Sequence, residues 1–552
     1  MTDHVIQRVL DLSPFNQINA ENFPRSATLA DILKNDARLR TCSRGDLITR
    51  QGDYGSSLYV VISGEVAVAQ GLPETQLGRA HYKRKGVLGV LNQIFRNKNV
   101  PEVRDPQRYD SETFKISAGE YDPPGKAHAR LENVSGVLED FETFPIRAGE
   151  LVGEIAALSR TPRTATIFAV EESELLEVRW QGLRDIRKRD VGFREHIDTL
   201  YRERSLATHL AESPIFRHLS KDSLEEIARE TIFETHGDFD WFSTYNVKNN
   251  TEKTDVLGSE PIIAQEGHYA EGLILIRAGF GRVSRRANHG HETLDYLTRG
   301  ATFGFDEILH HWKTGESLAL QTSLRAVGYV DVLRVPSRQI EELVLPSFED
   351  ELPPKEEHYE KKHAGHTKSG HGKGPDTGGL ERLVEGRYIN GAATMLINTE
   401  RCVGCDDCVR ACSAAHDGNP RFIRHGHRVG AQMVVNACMH CMDPVCMIGC
   451  PTGAIHRNSA GGQVVINDDT CIGCQTCANS CPYENIRMVE VRDSSGAFIL
   501  DASTRQPIVK ATKCDLCWDQ AVSPACERAC PHDALKRVNM GDTEQVEEWF
   551  SR

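Results

Sequence analysis

The stretch CIGCQTCANSCP, residues 471–482, decides how the C-terminal part of this 552-residue chain folds. Its cysteines follow the spacing CxxCxxCxxxC, and a proline follows the last of them. A turn with this spacing can bring three thiolates to one iron–sulfur cubane, while the fourth cysteine, before the proline, reaches a second cubane. The stretch therefore predicts metal clusters that share their ligand segments.

Four groups of this kind hold 16 of the 17 cysteines. The groups are Cys402, Cys405, Cys408, Cys412; Cys438, Cys441, Cys446, Cys450; Cys471, Cys474, Cys477, Cys481; and Cys514, Cys517, Cys526, Cys530. Three groups end in Cys-Pro, whereas the first ends in Cys412-Ser413. Four thiolates in each group match the ligand count of four [4Fe-4S] clusters.

Zinc and disulfides are the structural alternatives for so many cysteines. Zinc sites usually combine two separated CxxC pairs, whereas a third cysteine after CxxC and a fourth before proline is the iron–sulfur pattern. Disulfides are rare in a reducing compartment.

We expect a soluble, cytoplasmic chain without direct membrane insertion, because no apolar stretch resembles a secretory signal or could span a bilayer.

Spacing also predicts which cysteines share a cluster. The second and third groups are 471 − 450 = 21 residues apart, which is enough for one hairpin. Exchange of the fourth cysteine then pairs these two groups with each other and leaves the outer groups as partners. The predicted sets are Cys402, Cys405, Cys408, Cys530 for cluster 1; Cys412, Cys514, Cys517, Cys526 for cluster 2; Cys438, Cys441, Cys446, Cys481 for cluster 3; and Cys450, Cys471, Cys474, Cys477 for cluster 4. One pair nested inside the other predicts an approximately linear row.

Residues 385–540 resemble the four-cluster electron-transfer subunits of dimethyl sulfoxide reductase, nitrate reductase, formate dehydrogenase and some hydrogenases. The matching segments include LINTERCVGCDDCVRACSAAHDG and KCDLCWDQAVSPACERACPHDAL. The resemblance implies four [4Fe-4S] clusters that carry electrons between a catalytic subunit of the molybdopterin, flavin or hydrogenase type and a small redox donor or acceptor. It therefore implies an electron-transfer component of an oxidoreductase rather than a catalytic subunit.

The N-terminal part contains an internal repeat. RQGDYGSSLYVVISGEVAV, residues 50–68, and EGHYAEGLILIRAGFGRV, residues 266–283, each have two glycines 12 positions apart within strand-like runs. Such glycines mark turns or bulges with positive φ. The pattern predicts a small antiparallel roll that is present twice.

The segment GELVGEIAALSRTPRTATIFAV, residues 149–170, resembles the phosphate-binding cassette of cyclic nucleotide-binding domains, the family of bacterial catabolite activators and kinase regulatory subunits. The match rests on Gly153, Glu154, Arg163 and Thr164. By this resemblance Glu154 accepts from the ribose 2′-hydroxyl of cyclic AMP or cyclic GMP. Arg163 pairs with the cyclic phosphate, and Thr164 is a further donor to it. A roll that has lost its ligand is the alternative.

The second copy loses these ligands. Alignment of residues 322–326 on residues 165–169 puts Leu320 where Arg163 stands. A phosphate buried without its arginine would lack hydrogen bonds, so we expect weak or no nucleotide binding there. The first copy also carries a long insertion, because Gly64 and Gly153 are 89 residues apart while Gly279 and Gly304 are 25 apart.

These features predict a multidomain α+β protein with two cyclic-nucleotide-binding-type β-rolls, flanking helices and a double ferredoxin-like domain. The predicted divisions are 1–205 with an insertion at about 72–140, 206–345 for the degenerate roll, 346–380 for a flexible His- and charge-rich linker, and 381–552 for the cluster domain. A helix from Trp180 would connect the rolls. A further roll, not a helix-turn-helix, follows that helix.

The net charge is −14, so nucleic acid is excluded as the expected partner.

Three functions fit the sequence. The first is electron transfer through four clusters, gated by cyclic nucleotide at the first roll. The second is a redox- or oxygen-sensing regulatory protein, although a sensor usually needs one labile cluster. The third is an electron-transfer subunit whose rolls are only docking modules.

Overall fold

The computed structural model describes residues 2–55, 57–73, 102–104, 106, 130–131, 133–154, 157, 162–211, 213–237, 260–287, 290–348, 377–458, 461–520 and 524–552. Contacts group the chain into two units. The first comprises Met1–Tyr82, Ser111–Leu206 and Arg457–Gly462, and the second comprises Lys83–Asp110, Ala207–His456 and Gln463–Arg552.

The first roll is built from short antiparallel strands. Its described strands are β1 Ala37–Cys42, β2 Leu47–Thr49, β3 Ser57–Ser63, β4 Glu65–Ala69, β5 Thr143–Arg147, β6 Leu151–Val152, β7 Thr166–Ala169 and β8 Ser173–Arg179. They form two four-stranded sheets with the orders β1-β8-β3-β6 and β2-β7-β4-β5. Residues of the first sheet, such as Leu58 and Leu176, are fully buried in the core beneath the flanking helices.

Helices cover this roll. They are α1 Asp3–Leu10, α2 Leu29–Asp36, α3 Val134–Asp140, α4 Trp180–Arg189 and α5 Val191–Tyr201. The helix predicted from Trp180 is in fact two helices, because Asp190 breaks it. The Asp190 carboxylate accepts hydrogen bonds from the amides of Phe193, at 2.7 Å, and Asn19, at 3.2 Å. Asp190 is therefore the N-cap of α5.

The second unit begins with the second roll. Its described strands are β9 Ile232–Gly237, β10 Ile262–Ala264, β11 Gly272–Ala287, β12 Gly290–Leu297, β13 Thr302–Phe303 and β14 Ser323–Pro336. They form one sheet with the order β10-β14-β11-β12, to which β13 adds on β11 and β9 on β14. The accompanying helices are α6 Ala207–Ala211, α7 Lys221–Glu230, α8 Phe305–Thr314 and α9 Ser337–Gln339, which continues as a π-helix over Ile340–Val344.

The repeated glycines have the backbone conformation that the sequence predicts. Gly52 and Gly64 have φ of 83°, and Gly267 and Gly279 have φ of 85° and 86°. A Cβ on Gly279 would lie 2.0 Å from the carbonyl oxygen of Tyr329. Glycine is therefore required there both by φ and by the close approach of the neighbouring strand.

The cluster domain follows, and its elements are short. Its strands are β15 Thr394–Asn398, β16 Gly426–Val429, β17 Gln432–Val435, β18 Ile455–Arg457, β19 Val464–Ile466, β20 Arg487–Glu490, β21 Val509–Thr512 and β22 Leu535–Val538. Its helices are α10 Thr377–Glu385, α11 Asp407–Ala415, α12 Thr476–Ser480, α13 Ala525–Arg528 and α14 Thr543–Phe550. A four-stranded sheet has the order β16-β17-β15-β22, and β18-β19 and β20-β21 form two hairpin-like pairs.

The second roll and the cluster domain share one hydrophobic core inside the second unit. Phe280 and Tyr296 of the roll pack in the same cluster of buried residues as Leu396 and Trp549 of the cluster domain. The Tyr296 hydroxyl also donates to the carbonyl oxygen of Met540 at 2.5 Å. The degenerate roll is thus a structural part of the domain that carries the cysteines.

A buried ion pair strengthens the same junction. The Arg282 guanidinium is fully buried, and its Nε and Nη2 donate to the two oxygens of the Glu260 carboxylate, each at 2.9 Å. Glu381 of α10 lies 3.6 Å from the same side chain. Removing one partner of such a pair would leave an uncompensated buried charge, at a cost of about 3–5 kcal/mol.

A piece of the long insertion also lies in the second unit. Val103 forms a parallel bridge with Arg492, and the amide of Arg104 donates to the Arg492 carbonyl at 2.7 Å. Most of the predicted insertion, and residues 349–376 of the predicted linker, lie outside the described residues. The last residues of that linker begin α10. Among the described helices, none has both the length and the apolar character needed to cross a bilayer.

Candidate functional site

All four cysteine groups contain the same backbone turn. In each, the residue before the second cysteine is left-handed, with φ of 75° at Gly404, 51° at His440, 69° at Gly473 and 60° at Leu516. The left-handed region costs a non-glycine residue about 1–2 kcal/mol. His440 and Leu516 accept this cost, which is typical of functional sites. The four groups therefore share a left-handed residue at the same position before the second cysteine.

Short helical segments carry later cysteines in all four groups. Asp406 and Gln475, with φ of 60° and 62°, turn the chain into α11 and α12. Helix α11 carries Cys408 and Cys412, whereas α12 carries Cys477 and ends before Cys481. In the second group Cys446 lies on a short 3-10 helix, Val445–Met447, and in the fourth group Cys526 lies on α13.

The cysteines gather in fours. One cavity is lined by Cys402, Cys405, Cys408 and Cys530, and another by Cys450, Cys471, Cys474 and Cys477. Burial, together with the sulfurs of Cys438, Cys446 and Cys481, raises the pKa of Cys441 well above its usual range. Burial and the sulfurs of Cys514, Cys526 and Cys517 likewise raise the pKa of Cys412. The structure thus places cysteines of one predicted set near one another, and the assignment of each set to one cluster stays a prediction.

The donor set fits iron–sulfur clusters. Burial raises the pKa of the Cys408 thiol to about 11 and that of Cys517 to about 12. Such thiols stay protonated at neutral pH unless a metal replaces the proton, since a coordinating thiol is deprotonated outright. Four soft sulfur ligands around one cavity suit iron–sulfur clusters or zinc, and the shared turn with the exchanged fourth cysteine is the iron–sulfur arrangement.

Main-chain amides point at several of these sulfurs. The amides of Arg421 and Ala534 donate to Cys412 Sγ and Cys530 Sγ, both at 3.3 Å, and the amide of Leu516 donates to Cys514 Sγ at 3.5 Å. His416 is buried and its Nε2 lies 3.5 Å from Cys517 Sγ. Hydrogen bonds of this kind orient ligands and tune the metal that they hold.

Three cationic side chains lie beside the cysteines, and sequence reasoning missed them. Lys510 Nζ donates to the carbonyl of Cys471 at 2.5 Å, and Lys513 Nζ donates to the carbonyl of Cys514 at 3.0 Å. Arg537 Nη2 donates to Cys514 Sγ at 3.1 Å. Lys510 and Lys513 are buried. The sequence signal for them was the closeness of Lys510 and Lys513 to Cys514 in the chain. Lysines this near to predicted metal ligands are candidates for buried, paired cations, because lysine is rarely buried without a partner.

The predicted nucleotide residues lie together in the first roll. Arg163 is 6% exposed, and its Nη1 and Nη2 donate to the carbonyls of Gly153, at 3.0 Å, and Ser57, at 2.7 Å. Glu154 is 2% exposed and lies 3.9 Å from Arg204, and burial raises its pKa. Thr164 follows directly and is half-buried. The guanidinium is thus engaged with main-chain acceptors.

The second roll has the same main-chain frame without these side chains. The amide of Gly52 donates to the carbonyl of Arg163 at 2.8 Å. In the same way, the amide of Gly267 donates to the carbonyl of Leu320 at 2.8 Å. Leu320 therefore holds the position of Arg163, and Phe305 follows the left-handed Gly304 where Glu154 follows Gly153. The second roll has neither of the two predicted ligand side chains at these positions.

Comparison with known proteins supports the predicted families of the C-terminal and the N-terminal parts of the chain. A 4Fe-4S dicluster domain matches residues 429–541, and a cyclic nucleotide-binding domain matches residues 138–190 and 257–346. The electron transport protein HydN of Escherichia coli is 34% identical over 164 residues, which are 28% of this chain and 91% of HydN. The chain belongs to the HydN family of iron–sulfur electron-transport proteins.

Two other proteins are similar to this chain. The thiosulfate reductase electron transfer subunit PhsB of Salmonella typhi is 29% identical, over 30% of this chain and 84% of PhsB. The protein NrfC of Escherichia coli is 33% identical, over 28% of this chain and 69% of NrfC. This chain is thus a HydN-type iron–sulfur electron-transfer protein with cyclic nucleotide-binding domains.

Replacing Gly473 by alanine is expected to lower the iron bound per chain. A Cβ there would lie 2.2 Å from the carbonyl oxygen of Val509, at a φ of 69°. The turn that contains Gly473 would therefore have to move away from β21. Gly430→Ala is the matched control, because its φ of 61° is similar and nothing lies within 4 Å of its Cβ. Iron assays on anaerobically purified variants decide; equal iron in both would contradict the role of the turn.

Proposed function

We propose that the chain is the electron-transfer component of a larger oxidoreductase, with four [4Fe-4S] clusters in two nested ferredoxin-like pairs. The observation that carries this proposal is the gathering of sixteen cysteines into four sets that share one turn. The sets are Cys402, Cys405, Cys408, Cys530; Cys412, Cys514, Cys517, Cys526; Cys438, Cys441, Cys446, Cys481; and Cys450, Cys471, Cys474, Cys477. A bound [4Fe-4S] cluster supplies one-electron chemistry at a potential that its surroundings set.

Exposure of the cysteines supports a row with two accessible ends. Cys405, in the first set, and Cys474, in the fourth, are exposed, whereas the ligands of the two inner sets are buried or half-buried. Beside them Val403 and Ile472 are 66% and 49% exposed. An exposed ligand places its cluster close to the surface, where a redox partner could approach, so these two ends are the candidate sites of entry and exit for electrons.

The partners follow from the relatives. PhsB is named as the electron transfer subunit of a thiosulfate reductase. By this analogy the chain serves a catalytic subunit of the molybdopterin, flavin or hydrogenase type at one end and a small donor or acceptor at the other. The chain itself supplies position, burial and hydrogen bonds for the clusters, and we assign no bond-making residue to it.

Replacing Cys477 by alanine is expected to lower bound iron by up to about four atoms per chain, because one cluster loses a ligand. Cys42→Ala is the control, since Cys42 is the seventeenth cysteine, is buried in the first roll and is absent from the four sets. Iron and sulfide analysis should show the loss only for Cys477→Ala. Equal iron in both variants would remove Cys477 from the ligands.

We further propose that the first roll binds cyclic AMP or cyclic GMP and that the nucleotide gates electron transfer. The match to a cyclic nucleotide-binding domain supports it, as does the placement of Arg163, which donates to the carbonyl of Gly153, the residue before Glu154. A guanidinium suits phosphate oxygens geometrically. Binding would require Arg163 to exchange at least part of its carbonyl contacts for the phosphate.

A purely structural role for the rolls is the second candidate. Two observations favour it: Arg163 already donates to two carbonyls, and the second roll shares a core with the cluster domain. In this case the rolls hold the cluster domain or dock a partner, and no nucleotide is needed.

Calorimetry with cyclic AMP and cyclic GMP separates these candidates. We expect saturable binding by the whole protein and at least about a tenfold loss of affinity in Arg163→Ala, since a hydrogen bond to a charged group contributes about 1.5–3 kcal/mol. Arg147→Ala, an exposed arginine of the same roll, should bind as wild type does. Absence of binding by wild type would leave the structural role, and binding without a change in the rate of electron transfer would contradict gating.

A further inference from the structure

A single guanidinium joins the ligand segments of the two inner cysteine sets. Arg537 lies on β22, and its Nη1 donates to the carbonyls of Ala393, at 2.9 Å, and Cys438, at 3.1 Å. Its Nη2 donates to the sulfur of Cys514 at 3.1 Å. Cys438 belongs to the third set and Cys514 to the second. Arg537 therefore lies where these two sets meet.

A lysine adds a second positive charge at the same place. Lys513 is 4% exposed and precedes Cys514. Its Nζ donates to the carbonyls of Cys514 and Val464. Within the part of the chain that the structure describes, neither Lys513 nor Arg537 forms a salt bridge with a carboxylate. Two cations thus meet at this junction without an acidic partner.

Electrostatics requires a compensating negative charge. Burying a charged group such as the Lys513 ammonium without a counter-charge costs several kcal/mol, and the neutral carbonyls offset only part of this. Arg537 is half-buried, so it carries a smaller part of the same cost. The Nε of Arg537 is also buried and donates to no described atom. Thiolate sulfurs and cluster sulfides are the negative acceptors that the surrounding cysteines would bring. The cations and the cysteine sets therefore complement each other.

We propose that Arg537 and Lys513 raise the reduction potentials of the two inner clusters and so keep the middle of the row accessible to electrons. The inference rests on the proposed function, because it requires clusters at both inner sets. Each transfer moves one electron from one cluster, which is oxidised, to its neighbour, which is reduced, and no proton or atom moves. The added electron increases the negative charge beside Arg537, so a fixed positive charge stabilises the reduced form more than the oxidised form.

A purely structural Arg537 would use its hydrogen bonds rather than its charge. The two roles are separable, because Arg537→Lys keeps the charge and alters the bonds, whereas Arg537→Met removes both. Lys536→Met is the matched control, since Lys536 is the neighbouring residue of β22 and is exposed.

The test is a potentiometric titration of the full, cluster-loaded chain, followed by electron paramagnetic resonance with dithionite as reductant. We expect Arg537→Met to move one or two midpoint potentials to more negative values. Arg537→Lys should leave them near the wild-type values, and Lys536→Met should leave them unchanged. If Arg537→Met does not retain its iron, Lys513→Met undergoes the same titration with the same expected sign.

Two results would overturn the inference. One is a set of wild-type midpoint potentials in an iron-replete Arg537→Met or Lys513→Met variant. The other is a shift in Arg537→Lys as large as that in Arg537→Met, which would assign the effect to hydrogen bonds. Wild-type protein that lacks four clusters would instead contradict the proposed function, so the two failures are distinguishable.

Discussion

The proposed assignment of four clusters places one constraint on the cluster domain: sixteen thiols, most of them buried, must become thiolates. Burial raises the pKa of thiols such as Cys408 and Cys412, so the folded domain resists their ionisation. Iron supplies the compensating charge, and metal binding then becomes part of the folding free energy. The negative charge of the thiolates would be stabilised by the amide–sulfur hydrogen bonds and by the cations Lys510, Lys513 and Arg537. The left-handed residues in the four groups position the cysteines that carry this charge. The short strands around them are thus organised by the cysteines rather than by a large apolar core.

Sequence patterns predicted what depends on local spacing. The two rolls follow from glycines that need positive φ, such as Gly64 and Gly279, and their presence is confirmed. What sequence reasoning missed depends on contacts between distant segments. Arg537 meets Cys438 across 99 residues, and Asp190 breaks a helix because it also binds Asn19. Hydrophobic periodicity and cysteine spacing carry no information on contacts between residues far apart in the chain. The core shared by the second roll and the cluster domain, and the positions of Lys510, Lys513 and Arg537, are therefore visible only in the structure.

The two rolls have diverged within one frame. Both retain the main-chain hydrogen bonds around Gly52 and Gly267, but Arg163 is replaced by Leu320 in the second. That roll instead contributes Phe280 and Tyr296 to a core with the cluster domain. Loss of a ligand side chain and gain of a packing role are consistent with a division of labour, in which one roll is the candidate for nucleotide binding and the other is a structural support.

Native mass spectrometry of the anaerobically purified chain tests the central claim most directly. We expect a mass above that of the 61.5 kDa polypeptide by four Fe₄S₄ cores. A stable population with only two cores, or with zinc ions in place of cores, would contradict the assignment of sixteen cysteines to four clusters.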